Sequence, residues 1–106
     1  MRQTARKPAT VGEILVEEFL VPHKLTQAEL AEAMGVQRKH VNELCNDRRI
    51  ITADTALILA RVFGNMPDFW LNLQRRIDLW DALNTPERRQ RIDRAKPLRN
   101  SRSHAA

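Results

Sequence analysis

The sequence predicts an all-α fold, a compact bundle of five helices of which the last is long. Thr10 and Thr26 are each followed three residues later by a glutamate, which is the pattern of a capping box at a helix start. Pro67 and Pro86 stand where a helix tolerates proline, in its first turn, and an acidic residue follows each of them. Strand signals are nearly absent, because no stretch sustains an alternation of apolar and polar residues and no Asn-Gly or Asp-Gly hairpin turn occurs.

The helix signals divide the chain into an arm, one domain and a tail. The predicted helices cover residues 10–21, 26–33, 37–45, 52–63 and 66–83, and a sixth segment over about 85–94 carries weaker helical signals. We therefore expect a flexible basic arm at 1–9, one domain at 10–84, and a basic helix or tail at 85–106. A chain of 106 residues has room for one hydrophobic core.

The net charge of +5 is concentrated at the carboxyl end of the chain. Residues 85–106 hold seven basic and two acidic side chains, whereas residues 1–84 hold eleven of each. Such a tail is either a solvated end or an arm that contacts phosphates, and the sequence leaves both readings open.

Cys45 is the only cysteine, so an intrachain disulfide is excluded, and a packed thiol is favoured over a nucleophile. No apolar run is long enough to span a membrane.

The stretch LTQAELAEAMGVQRKHVNELCNDRR, residues 25–49, predicts two short helices joined by a tight turn. The first helix places its apolar positions inward at helical spacing and then reaches Gly35, which can adopt the positive φ of a helix end without a Cβ clash. Val41 and Leu44 face inward on the second helix. Two helices of this length with this turn are typical of a helix-turn-helix.

The polar side of the second helix suits the major groove of DNA. Arg can bind guanine through two parallel donors, and Gln or Asn can bind adenine in the same way. The side chains that we expect to read bases are Gln37, Arg38, Lys39, Asn42 and Glu43. Those that we expect to contact phosphates are Gln27, Arg48 and Arg49. The alternative is a small helical bundle whose charged face is only solvated.

The last long helix, over 66–83, carries an apolar stripe that four short helices cannot easily cover. Trp70 and Leu73, in its first half, are expected to close the core. Ile77, Trp80 and Leu83, in its second half, are left for a partner, and a two-fold homodimer is the commonest solution. A dimer would read a palindromic operator directly.

The stretch LTQAELAEAMGVQRKHVNEL resembles the helix-turn-helix of the lambda-repressor-like (XRE) family, which implies that family's compact fold. Two positions depart from the family pattern, which often has Ser or Thr at Gln37 and a glycine at Asp47. Asp tolerates the left-handed conformation less well than Gly, so we expect some strain at that corner.

The segments KPATVGEILVEEFL, GNMPDFWLNLQ and DLW resemble HigA-type antitoxins of the VapI-like branch, over most of residues 7–98. This resemblance implies a dimeric repressor of its own operon, encoded beside a HigB-type toxin of the RelE-like, messenger-RNA-cleaving fold. It also implies a protein with no catalytic activity. The sequence itself carries no metal-ligand cluster, and we expect no cofactor and no metal. The acidic residues Glu13, Glu17 and Glu18 interrupt the apolar stretch that a signal peptide would need, so we expect a cytoplasmic protein that lies on the nucleoid when it holds DNA.

Glu13 and Glu17 form an acidic pair on the outer side of the first helix. This pair is either plain solvated surface or a docking surface for a basic toxin.

A stand-alone regulator of the XRE type, without a toxin, is the main alternative function. An RNA-binding or nuclease protein is disfavoured, because the sequence lacks aromatic stacking pairs and a cluster of metal ligands.

Overall fold

The computed structural model of the chain describes residues 6–98 and is helical, with no strand in that range. The first helix, α1, continues through three pieces, Val11–Ile14, a π-helical stretch Leu15–Leu20, and Val21–His23. The other helices are α2 Gln27–Met34, α3 Arg38–Cys45, α4 Ala53–Phe63, α5 Pro67–Asn84 and α6 Pro86–Asp93. The predicted all-α fold is confirmed. The ends of the chain, 1–5 and 99–106, lie outside the described residues, and with them most of the predicted arm and the last part of the predicted tail.

Both predicted capping boxes form. The hydroxyl of Thr10 accepts from the N–H of Glu13 over 3.1 Å, and the Glu13 carboxylate accepts from the N–H of Thr10 over 2.8 Å. Thr26 and Glu29 repeat the exchange over 3.0 and 2.9 Å. Each box satisfies two N–H groups that a helix start otherwise leaves to solvent. Gly35 ends α2 at a φ of 72°, as the sequence predicts.

The π-helical stretch in α1 departs from the regular helix expected at 10–21. Pro22 lies just after this stretch. Proline has no N–H to donate to the carbonyl four residues earlier, and its ring also clashes with the preceding turn of the helix. The N–H of Val21 instead reaches the carbonyl of Val16, five residues earlier. A widened turn is one of the few ways in which a helix accommodates such a proline. Glu18, within this stretch, is exposed.

The core lies where α1, the helix pair α2–α3, α4 and the first half of α5 meet. Its fully buried side chains include Leu15, Leu30, Leu44, Leu59 and Trp70. The indole N–H of Trp70 donates to the side-chain oxygen of Asn65 over 3.0 Å, which satisfies the polar atom of the largest buried side chain. The first half of α5 therefore closes the core, as the sequence predicts.

Candidate nucleic-acid interface

Helix α3 presents an arc of polar side chains that are exposed except for the half-buried Glu43. At about 100° per residue, Arg38, Asn42, Lys39 and Glu43 fall on one side, while Val41 and Leu44 are fully buried on the other. Gln37 precedes them as the N-cap residue, and its side chain makes no capping hydrogen bond. The five predicted base-reading residues thus share one surface.

Two of these five side chains are held by residues outside the helix. The amide nitrogen of Asn42 donates to the amide oxygen of Gln27 over 3.2 Å. Gln27 is the first residue of α2, so this contact joins the two helices at their outer surface. The amide nitrogen of Gln27 can still donate to a phosphate, and Asn42 retains its own oxygen and one N–H.

Glu43 is paired with Arg49, four residues beyond the end of α3. The Nη2 and Nε atoms of Arg49 lie 2.8 and 3.0 Å from Oε1 of Glu43. Sequence reasoning separated the two residues into a base-reading and a phosphate group, and the structure brings them together. Arg48 is exposed beside them, and its backbone N–H donates to the carbonyl of Glu43 over 2.8 Å.

His40 lies under the arc, and its position gave no signal in the sequence. Its Nε2 is buried without a hydrogen-bond partner. Burial lowers the pKa of His40, and the guanidinium of Arg49 lowers it further, against a smaller opposing effect of Glu43. The lowered pKa favours the neutral imidazole, which carries no positive charge.

The corner after α3 is tied to the start of α1 through Asp47. Asp47 has a φ of 58°, so the left-handed conformation expected at this position is present. Its carboxylate accepts from the N–H of Gly12 over 2.9 Å and from the hydroxyl of Thr10 over 2.7 Å. These bonds offset the backbone strain, because they satisfy N-terminal donors of α1. The sequence showed the unusual aspartate but not its partner 35 positions away.

Cys45, at the end of α3, is half-buried. Burial raises the pKa of its thiol, and the carboxylate of Asp47 raises it further. The thiol is therefore protonated at neutral pH, which suits a packing role and not a nucleophile.

The second half of α5 is only partly covered. Ile77, Trp80 and Leu83 are half-buried, and Leu79 is 40% exposed. The ammonium of Lys7 lies 5.8 Å from the ring centre of Trp80, so the described end of the arm contacts this surface. Helix α6 turns back toward α5, and Arg89 donates to the carbonyl of Leu83 over 3.3 Å.

The two predicted toxin-docking residues occupy different surroundings. The Glu13 carboxylate is engaged in the capping box with Thr10, which also contacts Asp47 at the corner after α3. Glu13 therefore lies close to the predicted DNA-binding surface. Glu17 lies in the π-helical stretch and is exposed.

Among residues 6–98, no group of three or more histidine, cysteine or acidic side chains could hold a metal ion. No helix within the same range is long and apolar enough to cross a membrane.

With this geometry, the chain can be compared with known proteins. A family model described as Helix-turn-helix matches residues 16–71, more than half of the chain. The chain is also 47% identical to "Antitoxin HigA-1" of Vibrio cholerae over 98 residues, which are 92% of this chain and 90% of that protein. The chain belongs to the HigA-type helix-turn-helix family. The predicted resemblance is thereby confirmed.

Two further relatives bear on function. A protein of Escherichia coli K12 named "Uncharacterized HTH-type transcriptional regulator YbaQ" is 44% identical over 92% of this chain and 87% of that protein. The solved structure "Pseudomonas aeruginosa antitoxin HigA with higBA promoter" matches with a TM-score of 0.77 and 36% identity, and covers 86% of this chain and 98% of that chain. HigA-type proteins are DNA-binding regulators or antitoxins, and this protein shares their fold over nearly its whole described length.

Proposed function

We propose that this protein is the antitoxin of a type II toxin–antitoxin pair, which binds operator DNA as a dimer and represses its own operon. The observation that carries the proposal is the exposed arc of α3 on a chain 47% identical to an antitoxin. A recognition helix in the major groove needs two turns of polar side chains on a rigid scaffold, which this arc offers. The relative whose structure contains promoter DNA supports the same use of the fold.

The expected contacts with DNA bases follow from the side chains of the arc. Arg38 and Lys39 would reach guanine, and Gln37 and Asn42 would bind adenine through their side-chain amides. Gln27 and Arg48, on either side of the arc, would bind phosphates of the same groove edge, with Arg49 next to them.

A homodimer would place two recognition helices on the two half-sites of a palindrome. The supporting feature is the half-buried apolar surface of Ile77, Trp80 and Leu83, which is continuous with the exposed Leu79. An apolar surface of this kind in a small protein marks an interaction site more often than solvated surface. The contact of Lys7 with Trp80 would be rearranged or retained at the rim of that interface.

The second activity is neutralisation of a HigB-type toxin of the RelE-like, messenger-RNA-cleaving fold. An RNA-cleaving protein must bind phosphates, so a basic surface is expected on it, and an acidic surface on the antitoxin would attract it. Glu17 is the exposed candidate for that surface. Glu13 contributes charge there, although its carboxylate also caps α1. A cytoplasmic location, with the nucleoid as the site of repression, accompanies this function.

The alternative is a stand-alone transcriptional regulator without a toxin. The relative named as a transcriptional regulator, at 44% identity, favours it. Both functions use the same DNA-binding arc, so the arc does not separate them.

Two measurements test the proposal. Purified protein should shift a duplex carrying the DNA upstream of its own gene, and should leave a scrambled duplex of equal length unbound at moderate salt. The open reading frame beside this gene should arrest growth when it is expressed alone, and co-expression of this protein should restore growth. Operator binding without any toxic neighbour would support the stand-alone regulator. Equal binding to both duplexes would contradict either function.

A further inference from the structure

The ion pair between Glu43 and Arg49 lies at one edge of the exposed arc of α3. Both donors of Arg49, Nη2 at 2.8 Å and Nε at 3.0 Å, contact the same oxygen of Glu43, Oε1. The Oε2 atom takes part in neither contact, and the Glu43 side chain is 25% exposed. One oxygen therefore holds the arginine, and the other can accept a further hydrogen bond.

The ion pair reduces the repulsion between the Glu43 carboxylate and the phosphates of a DNA groove. Phosphates repel an anion, so an acidic side chain that approaches a base needs a cation beside it. Arg49 supplies that cation at hydrogen-bond distance before any DNA arrives. Burial and Arg49 lower the pKa of His40, which favours its neutral imidazole. Lys39, one turn before Glu43 on α3, is exposed, and Arg49 is the cation seen at hydrogen-bond distance from the carboxylate.

The chemistry of the major groove decides which base suits such a carboxylate. Cytosine presents an amino donor there, whereas guanine and thymine present acceptors that repel a carboxylate. Adenine has an amino group too, but its N7 acceptor lies beside it. We propose that Glu43 reads a cytosine through Oε2, and that Arg49 is a positioning residue that holds this carboxylate and contacts the adjacent phosphate. This assignment rests on the DNA-binding function proposed above.

Arg49 has the donors that this double role requires. A guanidinium carries five N–H groups, and the pair with Glu43 engages only its Nε and Nη2 edge. Nη1 is outside that edge and suits a phosphate oxygen next to the cytosine. Because one side chain links the base-reading carboxylate to the backbone contact, losing Arg49 affects sequence discrimination as well as affinity.

A selection from a library of random-sequence duplexes, performed with the full-length protein, tests the assignment. The wild-type protein should enrich a palindromic motif with a fixed cytosine in each half-site. Glu43→Gln should enrich adenine at that one position, because a glutamine amide can pair with adenine N6 and N7. The remaining positions of the motif should be unchanged.

Arg49→Gln and Arg48→Gln form a matched pair that separates positioning from general charge. Both remove one positive charge from neighbouring exposed sites. Arg49→Gln should reduce the preference for cytosine over the other bases about tenfold in measured Kd ratios, which is within the worth of one base contact. Arg48→Gln should weaken binding to all sequences by the same factor. Circular dichroism should show unchanged helix content in each variant.

The outcomes distinguish a failure of the cytosine assignment from a failure of the proposed DNA-binding function. A motif that Glu43→Gln leaves unchanged would overturn the cytosine assignment while DNA binding stands. Equal effects of Arg49→Gln and Arg48→Gln on base preference would overturn the positioning role. A wild-type protein that enriches no motif would overturn the DNA-binding function, and the assignment with it.

Discussion

The carboxylate of Asp47 accepts a hydrogen bond from the backbone N–H of Gly12 over 2.9 Å, and so joins the corner after α3, the proposed recognition helix, to the start of α1. The same carboxylate accepts from the hydroxyl of Thr10 over 2.7 Å. A side chain just past α3 therefore caps a helix that precedes it by 35 positions. The orientation of the recognition helix depends on α1 through this contact as well as through the core.

Substitutions of Asp47 should separate its cap from its backbone strain. Asp47→Ala keeps a Cβ at the φ of 58° and loses the hydrogen bonds to Gly12 and Thr10, so it should cost about 1 kcal/mol. Asp47→Gly loses the same bonds but also removes the Cβ from the left-handed region, so it should be less destabilising than Asp47→Ala. Urea unfolding followed by circular dichroism measures both changes. An alanine variant as stable as wild type would show that the cap contributes nothing.

Gly12→Ala should be more damaging than Gly35→Ala, for a different reason. A Cβ on Gly12 would lie 2.5 Å from the carbonyl oxygen of Cys45 and 2.8 Å from that of Leu44, so the two helices would have to separate. We expect a loss of about 2–4 kcal/mol in the free energy of unfolding, in the range of other overpacked cores. Gly35 has a φ of 72° and open space around it, so alanine there costs only the backbone strain of about 1–2 kcal/mol. Equal losses in urea unfolding would contradict the close approach at Gly12.

Arg38→Ala should weaken operator binding by about 1–3 kcal/mol if Arg38 holds a guanine through two donors. Binding to non-specific DNA should change much less, because the phosphate contacts remain. Fluorescence anisotropy with operator and scrambled duplexes measures the two affinities. Arg61→Ala, an exposed arginine on α4, is the control and should leave both nearly unchanged. Equal losses on both duplexes would make Arg38 a phosphate contact.

Ile77→Asp combined with Trp80→Ala should convert a dimer into a monomer, as measured by sedimentation velocity. The helical fold should largely persist, since the core lies nearer to Trp70. Leu57→Asp, which changes an exposed apolar side chain on α4, should stay dimeric. Footprinting with the wild-type dimer should show two half-sites about one helical turn apart, roughly 34–36 Å. A double variant that remains dimeric would move the interface to another surface.

Glu17→Lys should slow association with the proposed toxin, most clearly at low salt, because rim charges act mainly on the association rate. Glu17 is the better single test, since Glu13 also caps α1. Glu13→Lys added to Glu17→Lys should slow association further, with helix content checked by circular dichroism. Glu87→Lys makes the same charge change on α6 and should have little effect. Unchanged stopped-flow rates with intact helices would reduce the acidic pair to solvated surface.

The sequence was sufficient for features that depend on near neighbours. The capping boxes at Thr10 and Thr26 and the turn at Gly35 follow from residues within four positions of one another, and all three form as predicted. The π-helical stretch was missed, although Pro22 was visible, because helical periodicity assumes a regular turn.

Side-chain pairs across elements could not be read from the sequence. Gln27 with Asn42, Glu43 with Arg49 and Asp47 with Gly12 meet only because the helices pack at one angle and distance. The base-reading roles of Asn42 and Glu43 and the phosphate roles of Gln27 and Arg49 stay predictions.

The hydrogen bond between Gln27 and Asn42 has a consequence for the thermodynamics of recognition. A long polar side chain loses rotational freedom when it meets a base, at a cost of about 0.5–1.5 kcal/mol. An amide that is already held in the free protein has lost part of that freedom during folding. Calorimetry on operator binding should therefore record a less unfavourable entropy for the wild-type protein than for Gln27→Ala, in which Asn42 rotates freely until the DNA arrives.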